Sequence, residues 1–297
     1  MKKLFISVLI SIIIIFLVDI SWFFVDVYNV KAFLKKRNIP ENRKFKYFLR
    51  PSFNQSIEKI LYVKFREPIN IKSNLAPIYL FGCSFAYGDY LNDNETFGAY
   101  LAKITNRPVY NFGFHGWGIQ HVLLLLEHYD FSKIKTPKYI IYIYMDDHIR
   151  RMYSKYFEGF DDASYFRYLY KKGEFIPDES NGLTLYLYRK IHCYKNYKTA
   201  TNPKNNEKNF NLFKKYIEKI NDLIKEKFPD SKFIIFVYEE VWNKQDWQSV
   251  EKMGIKVVRK EEDLGNEIEE YRLGDSHPSA KAWEHYTPIF IKKSGIK

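Results

Sequence analysis

From residue 77 onward, short apolar runs alternate with amphipathic stretches. PIYLFG (77–82) is a compact apolar run ending in glycine, the signature of a buried strand. Residues 96–104 follow a helical period, with Asn94 or Thr96 as the cap. PVYNFG (108–113) reads as a second strand, and 119–128, containing HVLLLLEH, as an apolar helix. YIIYIYM (139–145) has almost no polar interruption, as expected of a parallel strand covered on both faces. An amphipathic helix is predicted over 210–228, a strand over 232–239 (KFIIFVYE), a helix over 245–253 and a strand over 254–258 (GIKVV). Residues 278–292 close the chain as a helix opened by Pro278, which suits a first turn. Residues 150–205 are rich in tyrosine and irregular, and are read as an insertion or lid. Strands alternating with helices imply a mostly parallel sheet with helices on both faces. Such sheets bind ligands beyond the carboxyl ends of their strands.

The N-terminus has a different character. Residues 4–18, LFISVLISIIIIFLV, carry no charge, and continuing to Val25 adds only Asp19. That is about the length needed to cross a hydrocarbon core. Lys2 and Lys3 precede it, and no small-residue cleavage site follows in DISWFFVDVYN, so an uncleaved anchor is expected. Trp22, Phe23, Phe24 and Tyr28 suit the membrane interface. Orientation is contested: Lys31, Lys35, Lys36 and Arg37 favour a cytoplasmic main domain, and the signal-like start favours the opposite side. The extracytoplasmic side is the expectation. Residues 1–28 are thus read as a membrane anchor, 29–75 as a polar, basic juxtamembrane connector, and 76–297 as the main domain.

Composition adds little. Hydrophobic residues make up 46% of the chain, enough for a sizeable core, and aromatics 19%. The net charge of +12 is compatible with nucleic acid, an anionic membrane or an acidic substrate. The cations are scattered, many on a polar helix face such as Lys214, Lys215, Lys219, Lys225 and Lys227, and no nucleic-acid-binding motif occurs. No nucleic-acid partner is expected. The cluster from Lys260 to Asp263 reads as another solvated face. Two cysteines, Cys83 and Cys193, form no disulfide framework and no CxxC.

Three motifs carry chemistry. GCSFAYG (82–88) follows the first strand directly, and its glycines allow a tight turn that leaves Ser84 exposed with its own N–H free. A nucleophilic serine needs an accessible hydroxyl and a donor for the developing oxyanion. NFGFHGWG (111–118) ends another strand, and Gly116 lets a backbone N–H come close to a ligand. GDSHPSAKAWEH (274–285) places Asp275 and His277 just before the last helix. Histidine titrates near neutrality and removes the serine proton, and a carboxylate two residues earlier fixes its tautomer. Read singly, each motif is an ordinary turn, Gly-rich loop or cap. His115, His121 and His128 lack the carboxylates a metal site requires, so no metal and no cofactor is expected.

The order Ser, Gly, then a late Asp-x-His resembles the SGNH/GDSL hydrolase family, over residues 77–148 and again 272–290. LFGCSFAYGDYLNDNETFGAYL is similar to the first block, NFGFHG to the second and DSHPS to the last. The resemblance implies a three-layer α/β/α, flavodoxin-like domain with a short parallel sheet. It assigns the catalytic roles to Ser84, Asp275 and His277, and the oxyanion hole to Ser84 and Gly116. The family's third block has an asparagine whose amide donates to the oxyanion. In YMDDHIRR the matching residue is Asp146, and an ionised carboxylate cannot donate. Asp146 is then protonated, or a neighbour such as His148 or Arg150 substitutes, or the enzyme is weakened. His115, His148 and Arg150 are candidates for substrate contact or support. The resemblance implies hydrolysis of an acyl ester, such as an O-acetyl group on an envelope glycan or lipid. Acyl transfer through the same acyl-serine, or a catalytically silent binding protein on the same fold, are the alternatives.

Overall fold

The computed structural model describes residues 65, 66, 69, 71–153, 168–177, 206–240, 245–265, 271–273 and 277–297. All belong to the unit Pro51–Lys297. The expected anchor over 1–28 lies outside the described residues. Among the described residues no helix is long and apolar enough to cross a membrane.

Five strands form one sheet: β1 (Ile78–Phe81), β2 (Val109–Asn111), β3 (Tyr139–Met145), β6 (Lys232–Glu239) and β7 (Lys256–Arg259). Their order is β2-β1-β3-β6-β7, and every neighbouring pair is parallel. The chain therefore starts in the interior, moves to one edge, then crosses back to build the other side. This flavodoxin-like order reverses between β1 and β3, and a crevice opens beyond the carboxyl ends of strands at such a reversal. The loops carrying residues 82–88 and 146–148 leave the sheet at that point.

Strand side chains alternate between faces with period two, and here both faces are buried. One face presents Tyr79, Phe81, Ile140, Tyr142, Tyr144, Phe233 and Ile235. Against it pack α3 (Ile119–His128), α5 (Asn206–Lys227) and α6 (Trp247–Glu251). The other presents Ile78, Leu80, Ile141, Ile143, Ile234 and Phe236 to α1 (Ser84–Tyr87), α2 (Phe97–Thr105) and α7 (Ala280–Ser294). Three layers result, which is why the strands read as continuous apolar runs.

Helix ends follow local chemistry. Thr96 caps α2, its hydroxyl accepting from Ala99 N at 3.1 Å, as one of the two expected caps. The last helix differs from expectation. Pro278 does not open it; Ser279 is the cap, accepting from Ala282 N at 3.2 Å, and the helix starts at Ala280. Ser279 gives the helix an N–H acceptor that proline cannot supply.

Two stretches hold more order than their composition suggests. Within the Tyr-rich segment, β4 (Tyr168–Lys171) and β5 (Glu174–Pro177) form an antiparallel hairpin. Its turn holds Lys172 at φ 50° and Gly173 at φ 89°, the two positive values that a tight two-residue hairpin turn requires. Phe175 packs on Tyr216 of α5 with ring centroids 4.2 Å apart. The described part of the connector is also built into the unit. Ile69 bridges Val109, and Phe65 meets Phe112 and Trp117 edge-on at 5.3 and 5.7 Å. Lys260 is not on a solvated face: it is buried, with its ammonium 4.5 Å from the Tyr238 ring centroid.

Trp283 of α7 is fully buried against Phe97, Phe236 and Tyr238. Trp283→Ala is expected to cost about 3–5 kcal/mol, the usual range for emptying a core aromatic site, read as a lower urea midpoint at unchanged m-value.

Candidate active site

β1 delivers its carboxyl end to Gly82, which adopts φ 153° and has no room for a side chain. A Cβ there would lie 2.9 Å from Ala86 Cβ and 3.2 Å from Ile143 O. Cys83 follows in extended conformation, and Ser84 opens the single turn α1. The turn closes on Gly88, whose N–H and that of Asp89 both donate to Ser84 O, at 2.8 and 3.1 Å. Ser84 N–H, the first in the turn, has no helical acceptor to satisfy. The residue is buried rather than exposed as expected, at 7% accessibility, with the imidazole of His277 lying against its hydroxyl.

His277 comes from the far end of the chain. Its Nε2 lies 2.8 Å from Ser84 Oγ, across 193 residues of sequence. Its backbone is pinned on both sides: Leu273 N donates to His277 O at 2.7 Å, and Ser279 N to Tyr271 O at 2.8 Å. Its ring is held between Phe85, at 5.0 Å, and the edge of Tyr90, at 5.4 Å. Tyr90 sits at φ 66°, a backbone region costly for a bulky residue. Sequence reading missed both rings, and the positive φ of Tyr90 leaves no sequence signal. Asp275 lies outside the described residues.

The loop after β2 joins the same place. Asn111 donates its amide to Ala86 O at 2.7 Å and accepts Gly113 N at 2.9 Å. Gly113 lies so close to α1 that a Cβ would come 2.7 Å from both Ala86 Cβ and Tyr87 N. Gly116 turns the chain at φ 69°. His115 Nδ1 is 2.5 Å from Asp89 Oδ2, an acid–imidazole pair that ties this loop to the one after Ser84. The residues around Ser84 and Gly116 are thereby fastened together. His121 is in a different role: its Nδ1 accepts Gly118 N at 3.1 Å and its ring stacks on Trp117 at 4.9 Å. His128 lies 3.7 Å from Glu127.

The third group of expected residues divides. Asp146 is buried at the end of β3, and Tyr144 Oη donates to its Oδ1 at 2.9 Å. His148 is fully buried, with Nδ1 2.5 Å from Tyr142 Oη, which ties it to β3. Burial holds its imidazole well below the usual range, with Arg151 and His121 acting the same way. The Arg150 side chain lies outside the described ones. Arg151 was not singled out by its sequence, yet its guanidinium is buried, donating to Trp117 O at 2.6 Å. It stands four residues from Asp147, one turn along α4 (Asp147–Tyr153).

Four acids gather where β3 and β6 end: Asp146, Asp147, Glu239 and Glu240. Burial raises Glu239 above its usual range, and Asp147 and Asp146 push the same way against Arg272 and Lys260. Burial also raises Glu240, although Gln245 N and Trp247 Nε1 donate to it. Among the described residues no group of His, Cys, Asp or Glu is arranged to hold a metal. Cys83 is a buried free thiol, raised by burial despite the opposing influence of Arg151.

No family model matches the sequence, and no curated protein matches it at a significant level. Among solved structures the chain is similar to a protein described as lipolytic and of the G-D-S-L family from Desulfitobacterium hafniense DCB-2. That match has 12% identity and a TM-score of 0.45, covering 72% of this chain and 99% of that one. It is similar to an acetyl xylan esterase from the rumen bacterium Butyrivibrio proteoclasticus, at 14% identity and TM-score 0.43, covering 77% and 67%. It is also similar to an acetylxylan esterase from Geobacillus stearothermophilus, at 13% identity and TM-score 0.43, covering 77% and 98%. Identities and scores this low assign no activity to this chain.

Two measurements test the geometry. Gly113→Ala forces its loop off α1 and is expected to lower stability by about 1–3 kcal/mol, the usual penalty for overpacking, measured by chemical denaturation. Glu239 binds its proton more tightly in the folded chain than in the unfolded one. Its favourable contribution is therefore complete below 4.5 and is lost as pH rises through the higher folded value. Glu239→Gln should accordingly melt above the parent at pH 7, with the gap closing below pH 4.5. A variant less stable at neutral pH contradicts that assignment.

Proposed function

We propose that this chain is an acyl-ester hydrolase that works through a covalent acyl-serine on Ser84. The observation that carries the reading is the 2.8 Å contact between Ser84 Oγ and His277 Nε2. A serine hydroxyl is a weak nucleophile until a base removes its proton, and imidazole does so near neutral pH. Hydrogen-bond reach between the two is the geometric requirement.

Ser84 Oγ attacks the ester carbonyl carbon as its proton passes to His277 Nε2. The carbonyl π electrons move to oxygen, giving a tetrahedral oxyanion. In this reading the backbone N–H groups of Ser84 and Gly116 receive it, and Asp275 orients the imidazole in the tautomer that leaves Nε2 free to accept. Collapse expels the alcohol, which takes the proton back from His277. Water then attacks the acyl-serine by the same route, and the acid leaves.

The substrate in this proposal is an O-acyl ester, such as an O-acetyl group, on a cell-envelope glycan or lipid. The family resemblance of the three motifs supports the ester class. The uncharged stretch 4–18 supports a membrane-held protein, and its signal-like start with Lys2 and Lys3 favours the extracytoplasmic side for the main domain.

The full chain is expected to be labelled by a fluorophosphonate and to hydrolyse p-nitrophenyl acetate. Ser84→Ala should abolish labelling and cut turnover roughly a thousandfold or more. His277→Ala should slow both steps while leaving the melting temperature nearly unchanged. Folded wild-type protein that neither labels nor turns over the ester removes the enzyme reading and leaves a binding protein.

A further inference from the structure

Arg151 is 6% exposed, and its guanidinium joins its own helix to the loop after β2. It donates through one terminal nitrogen to Trp117 O at 2.6 Å, in the loop that carries Gly116. Through the other it donates to Asp147 Oδ2 at 3.4 Å, one turn back on α4. Its charge also acts on the thiol of Cys83, the residue before Ser84, whose sulfur donates to Met145 Sδ at 3.4 Å. Gln120 Nε2 donates to its backbone carbonyl at 3.4 Å, fixing the turn that carries it. The geometry is a consequence of the short helix after β3. Helix side chains lean toward the N-terminus, so a residue one turn into α4 is carried back over the carboxyl edge of the sheet.

A buried cation must recover its lost hydration from partners. Its partners Trp117 and Asp147 lie in the segments after β2 and β3 that flank the Ser84 turn. The neighbourhood is also acidic, with Asp146, Asp147, Glu239 and Glu240 at the ends of β3 and β6. Negative charge developing near Ser84 would be opposed by these groups unless a cation stood between. A planar guanidinium fits this place, since it presents five donors in one rigid plane and stays charged under all working conditions. Lysine would supply a point charge but not the planar fork.

We propose that Arg151 is a positioning residue for the Ser84 reaction: it ties the loop after β2, which carries Gly116, to the helix after β3 and brings a buried positive charge close to the Ser84 turn. This role rests on the acyl-serine reading above.

The test uses the full chain with Arg151→Ala and Arg151→Lys. Three readouts are taken: the melting temperature, the rate constant for fluorophosphonate labelling of Ser84, and kcat and KM on p-nitrophenyl acetate. Arg151→Ala is expected to lose at least about tenfold in labelling rate and in kcat per folded molecule, with KM within about twofold, since the loss falls on oxyanion stabilisation. Added guanidinium ion should restore part of that rate in Arg151→Ala and none in His277→Ala. Arg151→Lys, which keeps a charge and folds more readily, should fall between. A folded Arg151→Ala that labels at the wild-type rate overturns the proposal and leaves the acyl-serine reading standing. So does a loss in proportion to unfolded protein that guanidinium does not rescue. Wild-type protein that fails to label defeats both.

Discussion

The hydrogen bond between Ser84 and His277 is the constraint on which the rest of the molecule turns. Its two atoms are 2.8 Å apart and their residues 193 positions apart in sequence. Two such groups stay together only if both backbones are held to a few tenths of an ångström. On the serine side, the tight packing of Gly82 against Ala86 and Ile143, and the bonds from Gly88 and Asp89 to Ser84 O, meet that need. On the histidine side it is met by the paired bonds around residues 271–279 and by Phe85 and Tyr90 flanking the ring. The strain of Tyr90, roughly 1–3 kcal/mol for a residue in that backbone region, is repaid by the packing that keeps the imidazole from rotating away.

The sheet supplies the frame. Because both faces are buried, each strand sits between two hydrophobic cores, and a shift of one residue in any strand would exchange side chains between them. Register is therefore fixed by burial, and with it the height at which each loop leaves the sheet. The reversal in strand order between β1 and β3 sends the following chain to opposite sides. Ser84 sits at the lip of that reversal. A site built there inherits its rigidity from the core and needs only short loops to complete it.

What could be read in advance follows from this division. The strands over 139–145 and 232–239 and the helix over 119–128 were legible because burial on both faces produces uninterrupted apolar runs. Ser84 and His277 were legible because a Gly-flanked serine after a strand and a late Asp-x-His are local patterns. The burial of Ser84 was not, since it is imposed by segments distant in the chain. Nor was the start of the last helix, where Pro278 and Ser279 both carry N-terminal preferences and only the cap bond to Ala282 separates them. The hairpin at 168–177 was overlooked within an aromatic, irregular stretch, although Lys172-Gly173 was a fair turn signal. Arg150 and Arg151 look alike in sequence, but successive residues point about 100° apart around a helix. Spacing from the acids does not separate them, since Arg150 stands four residues from Asp146 just as Arg151 does from Asp147.

The acidic ends of β3 and β6 raise the sharpest physical question about the site. Burial raises Glu239 and Glu240 above the usual carboxylate range, and the neighbouring Asp146 pushes both the same way. Asp146 receives a hydrogen bond from Tyr144 and is thereby occupied as an acceptor within the fold. An oxyanion forming nearby meets a field that these acids make less favourable, and the cations Arg151, Arg272 and Lys260 oppose that field from fixed positions. Of the three, Arg272 is exposed and screened by solvent. Lys260 is committed to the rings of Tyr238 and Tyr286. Arg151 is both buried and bonded to the loop that carries Gly116, with its charge close to Cys83. The same burial that makes its charge costly to keep also leaves that charge unscreened at short range, so the balance of charge at this edge depends on Arg151 more than on either other cation.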